Sequence, residues 1–112
     1  MRDKVLIIIS SGEREKAITG LMYATNALRY AWMREVKVVI FGPSQRLSLN
    51  DKEVQGYLRE LTGELGSVPF ACKYIAEQEG FSQALAELGL DVVYVGTVIS
   101  DHIKQGFIPL VF

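Results

Sequence analysis

Cysteine is almost missing from this chain: Cys72 is the single one among 112 residues. No internal disulfide can form, so the fold must rest on packing alone. Histidine is equally scarce, and one His102 beside one cysteine excludes a zinc site of the usual four-ligand spacing within one chain. An excess of charge of one sign is lacking as well. Twelve Lys and Arg stand against thirteen Asp and Glu, a net charge of -1, which leaves no electrostatic footprint for nucleic acid or an anionic membrane. The longest apolar run, VLIII at 5–9, falls far short of the roughly 20 residues that span a bilayer. With no signal-peptide pattern at the N-terminus, the expected address is cytoplasmic.

What is present reads as one globular domain over 1–112, 49% hydrophobic and 22% charged, without internal repeat, low-complexity segment or linker. KVLIII at 4–9 is a continuous β-branched run that stops at Ser10-Ser11-Gly12, the pattern of a strand buried on both faces. From Glu13 to about Arg34 the apolar positions Ala17, Ile18, Leu21, Ala24, Leu28, Ala31 and Trp32 recur at helical spacing, and Gly20, Ala24, Ala27 and Ala31 form a line of small residues. A second buried run over 36–42 ends at Gly42-Pro43. A loop of about nine residues follows, carrying Arg46; then Asn50 as N-cap, with Glu53 completing a capping box, opens a helix to about Leu65 that Gly66 closes.

VPFAC at 68–72 reads as a third strand, KYIAEQE as a short helix closed by Gly80, and SQALAELG as a further helical piece capped by Ser82. A fourth strand, DVVYVG, ends at Gly96; TVISDHIKQG is helical, and FIPLVF is a fifth strand. Alternating strands and helices predict a three-layer α/β/α sandwich with a five-stranded, mostly parallel sheet.

In such sheets ligands bind outside the carboxyl ends of the strands. That rule selects Ser10, Ser11 and Gly12 after the first strand, Gly42 to Ser44 after the second, Cys72 after the third, and Gly96 with Thr97 after the fourth. Cys72 in the first turn of a helix would feel unpaired N–H groups that favour thiolate, with Lys73 adding to this, and would then be a nucleophilic or sulfur-carrying thiol. The competing account is a packed cysteine that behaves like Ala or Val. SSG ahead of a helix offers an anion cradle, or simply a cap and a turn; it lacks the P-loop lysine and the three-glycine fingerprint, so no nucleotide cofactor is indicated. His102 is either a base for Cys72 or a hydrogen-bonded surface residue. Met22, Tyr23, Tyr30, Trp32 and Met33 spread around the first helix, which predicts burial on more than one side and hence self-association.

The order of these segments resembles the DsrE/DsrF-like family, small α/β proteins that include the sulfur-relay subunits of the DsrEFH and TusBCD complexes. The resemblance runs through KVLIIISSGEREKAITGLMYATNAL, VKVVIFGPS, VPFACKYIAEQEGFS and VVYVGTVISDHIKQGFIPLVF, nearly the whole chain. It implies a homo-oligomer, a trimer or hexamer, with active cysteines near subunit boundaries. It also implies that Cys72, the matching position, accepts persulfide sulfur from a donor protein and passes it to an acceptor. Two other readings stay open: a small-anion or nucleotide binding module with Cys72 merely packed, and a structural oligomer with neither activity.

Overall fold

The computed structural model describes residues 2–112. Its strands are β1 (Lys4–Ile9), β2 (Glu35–Ile40), β3 (Phe70–Cys72), β4 (Asp91–Val93) and β5 (Ile108–Val111), and its helices are α1 (Arg14–Arg29), α2 (Ser44–Asn50), α3 (Lys52–Thr62), α4 (Lys73–Glu79), α5 (Ser82–Glu87) and α6 (Val95–Lys104). The sheet order is β4-β3-β2-β1-β5, with every neighbouring pair parallel. Val5 through Ile9 are buried because β1 lies inside the sheet with a layer on each face. Each such Ile or Leu, fully withdrawn from water, contributes about 1.5–3 kcal/mol.

The period of two along the strands sorts the core into two clusters. Val5, Ile7, Ile9, Val36, Val38, Ile40 and Ala71 face the layer that supplies Leu21, Val54, Leu58, Ala76 and Leu85 from α1, α3, α4 and α5. Leu6, Ile8, Val39 and Cys72 face the other way and meet Val95 at the start of α6 and Phe107 in the turn beyond its end. The three steps from β1 to β4 advance in one direction across the sheet, while the step from β4 to β5 returns. Right-handed crossovers then require α6 alone to lie on the opposite face, as the two clusters demand.

Several boundaries depart from the sequence reading. α1 ends at Arg29 rather than Arg34, because Ala31 takes a left-handed φ of 56°. The N–H of Trp32 then donates to the carbonyl of Ala27 at 2.9 Å and that of Ala31 to Leu28 at 3.3 Å, a Schellman closure. Ala31 therefore stands outside the helix, while Gly20, Ala24 and Ala27 are buried in it. Gly20 admits the side chains of Ile9 and Phe112 where a Cβ would clash. Neither Ser10 nor Ser11 caps α1; Glu13 occupies the cap, and the Ser11 hydroxyl accepts from its N–H at 2.9 Å.

The expected nine-residue loop is the two-turn helix α2, whose inward residues Ser44, Gln45 and Ser48 are polar and buried. Asn50 belongs to its end, so the cap of α3 passes to Asp51, whose carboxylate accepts from the N–H groups of Glu53 at 2.9 Å and Val54 at 3.0 Å. The Glu53 side chain pairs with Arg14 at 2.6 Å instead of closing a capping box. α3 stops at Thr62 with Gly63 as its cap, so Gly66 lies beyond it, at a φ of 67°. Phe81 rather than Ser82 is the cap of α5. β4 ends at Val93, which leaves Gly96 and Thr97 in the first turn of α6 rather than in a loop.

Candidate functional site

The strand order singles out one place on the carboxyl edge of the sheet. β3 is followed by α4 on the five-helix side, whereas its neighbour β4 is followed by α6 on the other. A crevice opens where adjacent parallel strands send their connections to opposite faces. Cys72 is the last residue of β3 and pairs in register with Val93, the last of β4, so it borders that crevice. It is also the N-cap of α4, with extended backbone at φ -76° and ψ 113°, and its side chain makes no capping hydrogen bond. The thiol points to the α6 side, buried to 5% exposure among Val39, Val95 and their neighbours.

Its neighbours across the crevice are the residues that follow it and those that follow β4. The Lys73 ammonium lies over the ring of Tyr94 at 5.3 Å, joining the start of α4 to the cap of α6. A cation over an aromatic face is held by the ring quadrupole. Gly96 and Thr97 are exposed, and a Cβ added to Gly96 would meet open space. Tyr94 caps α6 without a side-chain hydrogen bond, so the first-turn N–H groups of this ten-residue helix have no side-chain acceptor there. Lys73 follows Cys72 directly, and Gly96 and Thr97 follow Val95, which shares the buried cluster of Cys72.

Ser10, Ser11, Gly12 and Gly42 lie one and two strands away, and the chain itself occupies their polar groups. The N–H groups of Ser10 and Ser11 both donate to the carbonyl of Phe112, at 2.8 and 3.3 Å, as does the Ser10 hydroxyl at 3.2 Å. Gly12 packs on Pro43, whose Cβ would stand 2.9 Å from a Cβ at that position. Gly42 takes a left-handed φ of 103° and connects to Cys72 through Gln45. The Gln45 Oε1 accepts from the Gly42 N–H at 3.0 Å, while its Nε2 donates to the Cys72 carbonyl at 3.1 Å. Ser44 completes this lacing by donating from its hydroxyl to the Ile9 carbonyl at 2.5 Å.

Gln45 is fully buried and was not singled out from the sequence, where its helix has no apolar stripe. The available signal was Pro43 leading into S-Q-x-x-S, a proline start followed by polar residues at helical spacing. His102 takes no part in the crevice. Its Nδ1–H donates to the Val98 carbonyl at 2.7 Å, and its ring sits edge-on to Phe70 and Phe107. Among the described residues no three His, Cys, Asp or Glu side chains assemble into a metal-binding group, and no helix is long and apolar enough to cross a membrane.

A cleft of about 380 Å³ opens beside this edge, between α2 and α4, lined by Gly42, Pro43, Arg46, Ile75, Glu79 and Phe81. Arg46 and Glu79 pair across it at 2.6 Å. The displaced carboxyl and guanidinium titrations lie elsewhere. Asp51 is held below the usual carboxylate range by the Val54 N–H and by Arg14, and Asp3 by Arg34.

No family model matches the chain, and no curated protein matches it. Solved structures share its fold. A conserved protein of unknown function from Bacteroides thetaiotaomicron is 26% identical, with 98% of this chain and 95% of that one covered and a TM-score of 0.86. A protein of unknown function from Methanobacterium thermoautotrophicum is 20% identical, with 97% and 98% covered and a TM-score of 0.76. The class defined by fold and topology is an α/β/α sandwich with five parallel strands.

Proposed function

We propose that this protein is a sulfur carrier of the DsrE/DsrF-like kind, with Cys72 as the acceptor. The observation that carries the reading is the position of the single thiol: it stands at the crevice where parallel α/β folds place their chemistry. In the reaction, the Cys72 thiolate attacks the outer sulfur of a donor persulfide R–S–SH. One S–S bond forms as the donor's breaks, R–S⁻ leaves, and the protein holds Cys–S–SH with no net oxidation or reduction. The uncapped first turn of α6, with Gly96 and Thr97, offers N–H groups to the resulting anion, and Lys73 adds a cation. A second exchange of the same kind passes the outer sulfur to an acceptor thiolate.

The reading carries a cytoplasmic setting, where a lone thiol stays reduced. It also carries a homo-oligomer, a trimer or hexamer, which Tyr74 and Tyr94 support by lying 59% and 56% exposed beside the crevice. Light scattering reads that mass, and a monomer would remove this part. The rival reading, an anion module built on SSG, has less support because the N–H groups of Ser10 and Ser11 already hold the Phe112 carbonyl.

The test is intact mass after incubation with a persulfide donor. Wild type gains a reducible ~32 Da, one sulfur atom, and Cys72→Ser gains nothing. An equal gain in both, or none in a wild type whose thiol also resists alkylation, overturns the reading.

A further inference from the structure

Cys72 is sealed unevenly. Val39 and Val95 cover it at 0% and 1% exposure, but Ile75, one turn along α4, is only half-buried. Ile75 packs against the cluster that holds Cys72 and is also a wall of the cleft between α2 and α4, so its side chain is common to both. The cleft, at about 380 Å³, falls within the roughly 300–1,000 Å³ of small-ligand sites. Pro43, Ile75 and Phe81 give it apolar walls, and its charged groups are Arg46 and Glu79.

That pair chooses the ligand. Arg46 reaches Glu79 through one Nη, leaving Nε and the other Nη without a protein partner among the described residues. A guanidinium binds a carboxylate best through two parallel N–H donors, and a single-contact pair exposed at both ends is weakly held. A free carboxylate that takes the fork therefore displaces Glu79 at small cost. The Gly42 N–H is already bound to Gln45 and offers nothing.

We propose that this cleft binds a small carboxylate-bearing persulfide, with its carboxylate on Arg46 and its sulfur arm along the apolar wall, and that it admits the sulfane sulfur to Cys72 past Ile75. The proposal rests on the reading of Cys72 as acceptor. It adds the class of donor, a low-molecular-weight acidic thiol in persulfide form, and a specificity residue. Glu79 becomes an internal occupant that the donor replaces.

The experiment compares the rate at which N-acetylcysteine persulfide and the persulfide of its uncharged methyl amide load Cys72, read by intact mass. The acid loads wild type about tenfold faster than the amide, the scale of one charge-assisted hydrogen bond. Arg46→Gln brings the acid down to the amide's rate and leaves the amide unchanged, while Glu79→Gln widens the difference. Both side chains are exposed, so neither change threatens the fold. Equal rates in wild type, or a preference that survives Arg46→Gln, overturn the proposal. If neither donor loads Cys72, the carrier reading has failed, and the cleft is judged alone by titration with unreactive N-acetyl-S-methylcysteine. Binding lost in Arg46→Gln then upholds the carboxylate site, and absence of binding in wild type removes it.

Discussion

Replacing Gln45 by glutamate changes one atom's identity in the bridge between Gly42 and Cys72. The variant keeps the length of the side chain and the oxygen that accepts from the Gly42 N–H. At the other end a donor becomes an oxygen, facing the Cys72 carbonyl at the 3.1 Å where the amide now donates. Ionised, the new carboxyl is a charge at a position with no exposure, set against a carbonyl lone pair. Protonated, it recreates the amide's pattern, one acceptor and one O–H donor. Its folded-state pKa must therefore rise above the unfolded value of about 4.3.

An acid raised in the folded state holds extra protons there. Stability is then intact below the unfolded pKa and falls as pH climbs towards the folded one, by about 1.4 kcal/mol per unit. With the folded value near about 7, inside the range documented for buried glutamates, Gln45→Glu costs about 3–4 kcal/mol at pH 7 and almost nothing at about pH 4. Urea unfolding of both proteins from pH 4 to 8 gives the difference directly, provided the m-values agree. A cost that does not change with pH, or one below about 1 kcal/mol at pH 7.5, would mean that position 45 is hydrated and that the amide does not join the two strand ends.

Two further outcomes test other parts of the frame. Ala31 is an exposed L-residue held at a φ of 56°, a conformation that costs such residues roughly 1–2 kcal/mol, part of which glycine returns through its freer unfolded chain. Ala31→Gly should raise stability by about 0.5–1 kcal/mol in the same urea assay, and a loss would contradict the Schellman closure of α1. Asp51, lowered from its ordinary 3.8 chiefly by the Val54 N–H with help from Arg14, contributes stability that is present above that value and is lost as pH falls through its lower folded one. Asp51→Asn keeps a capping oxygen, so acid titration of the melting temperature should flatten while part of the slope persists from Asp3; an unchanged slope would show that the cap does not titrate.

The strands were legible because burial on both faces leaves a mark that needs no partner to be read. VLIII at 5–9 and VVIF at 38–41 are apolar without interruption, and the strands they belong to sit in the interior of the sheet. α3 was legible in its stripe of Val54, Leu58 and Leu61, although its cap slid by one residue to Asp51. α2 was not, since hydrophobic periodicity is the chief signal for a helix and this one turns Ser44, Gln45 and Ser48 inward. Polar residues are stable there because the helix packs over strand ends, where their side chains bond the carbonyls of Ile9 and Cys72 and the N–H of Gly42. The end of α1 was misread for a different reason: Ala31 and Trp32 continue the apolar spacing of the helix, and only the backbone shows that the chain has already turned left-handed.

Cys72 makes the limit clearest. That it follows the third strand can be read locally, from VPFAC and the helix after it. That it borders the crevice depends on β3 lying beside β4 and on the chain leaving those two strands towards opposite faces, which is a matter of long-range pairing. Had β5 been inserted between β3 and β4, the same residues would flank a different gap, and Lys73 would have no Tyr94 ring to lie over. The surroundings of Cys72 thus depend less on its own neighbours in sequence than on the return step from β4 to β5, which sends α6 alone to the second face and brings its uncapped first turn to the side on which the thiol lies.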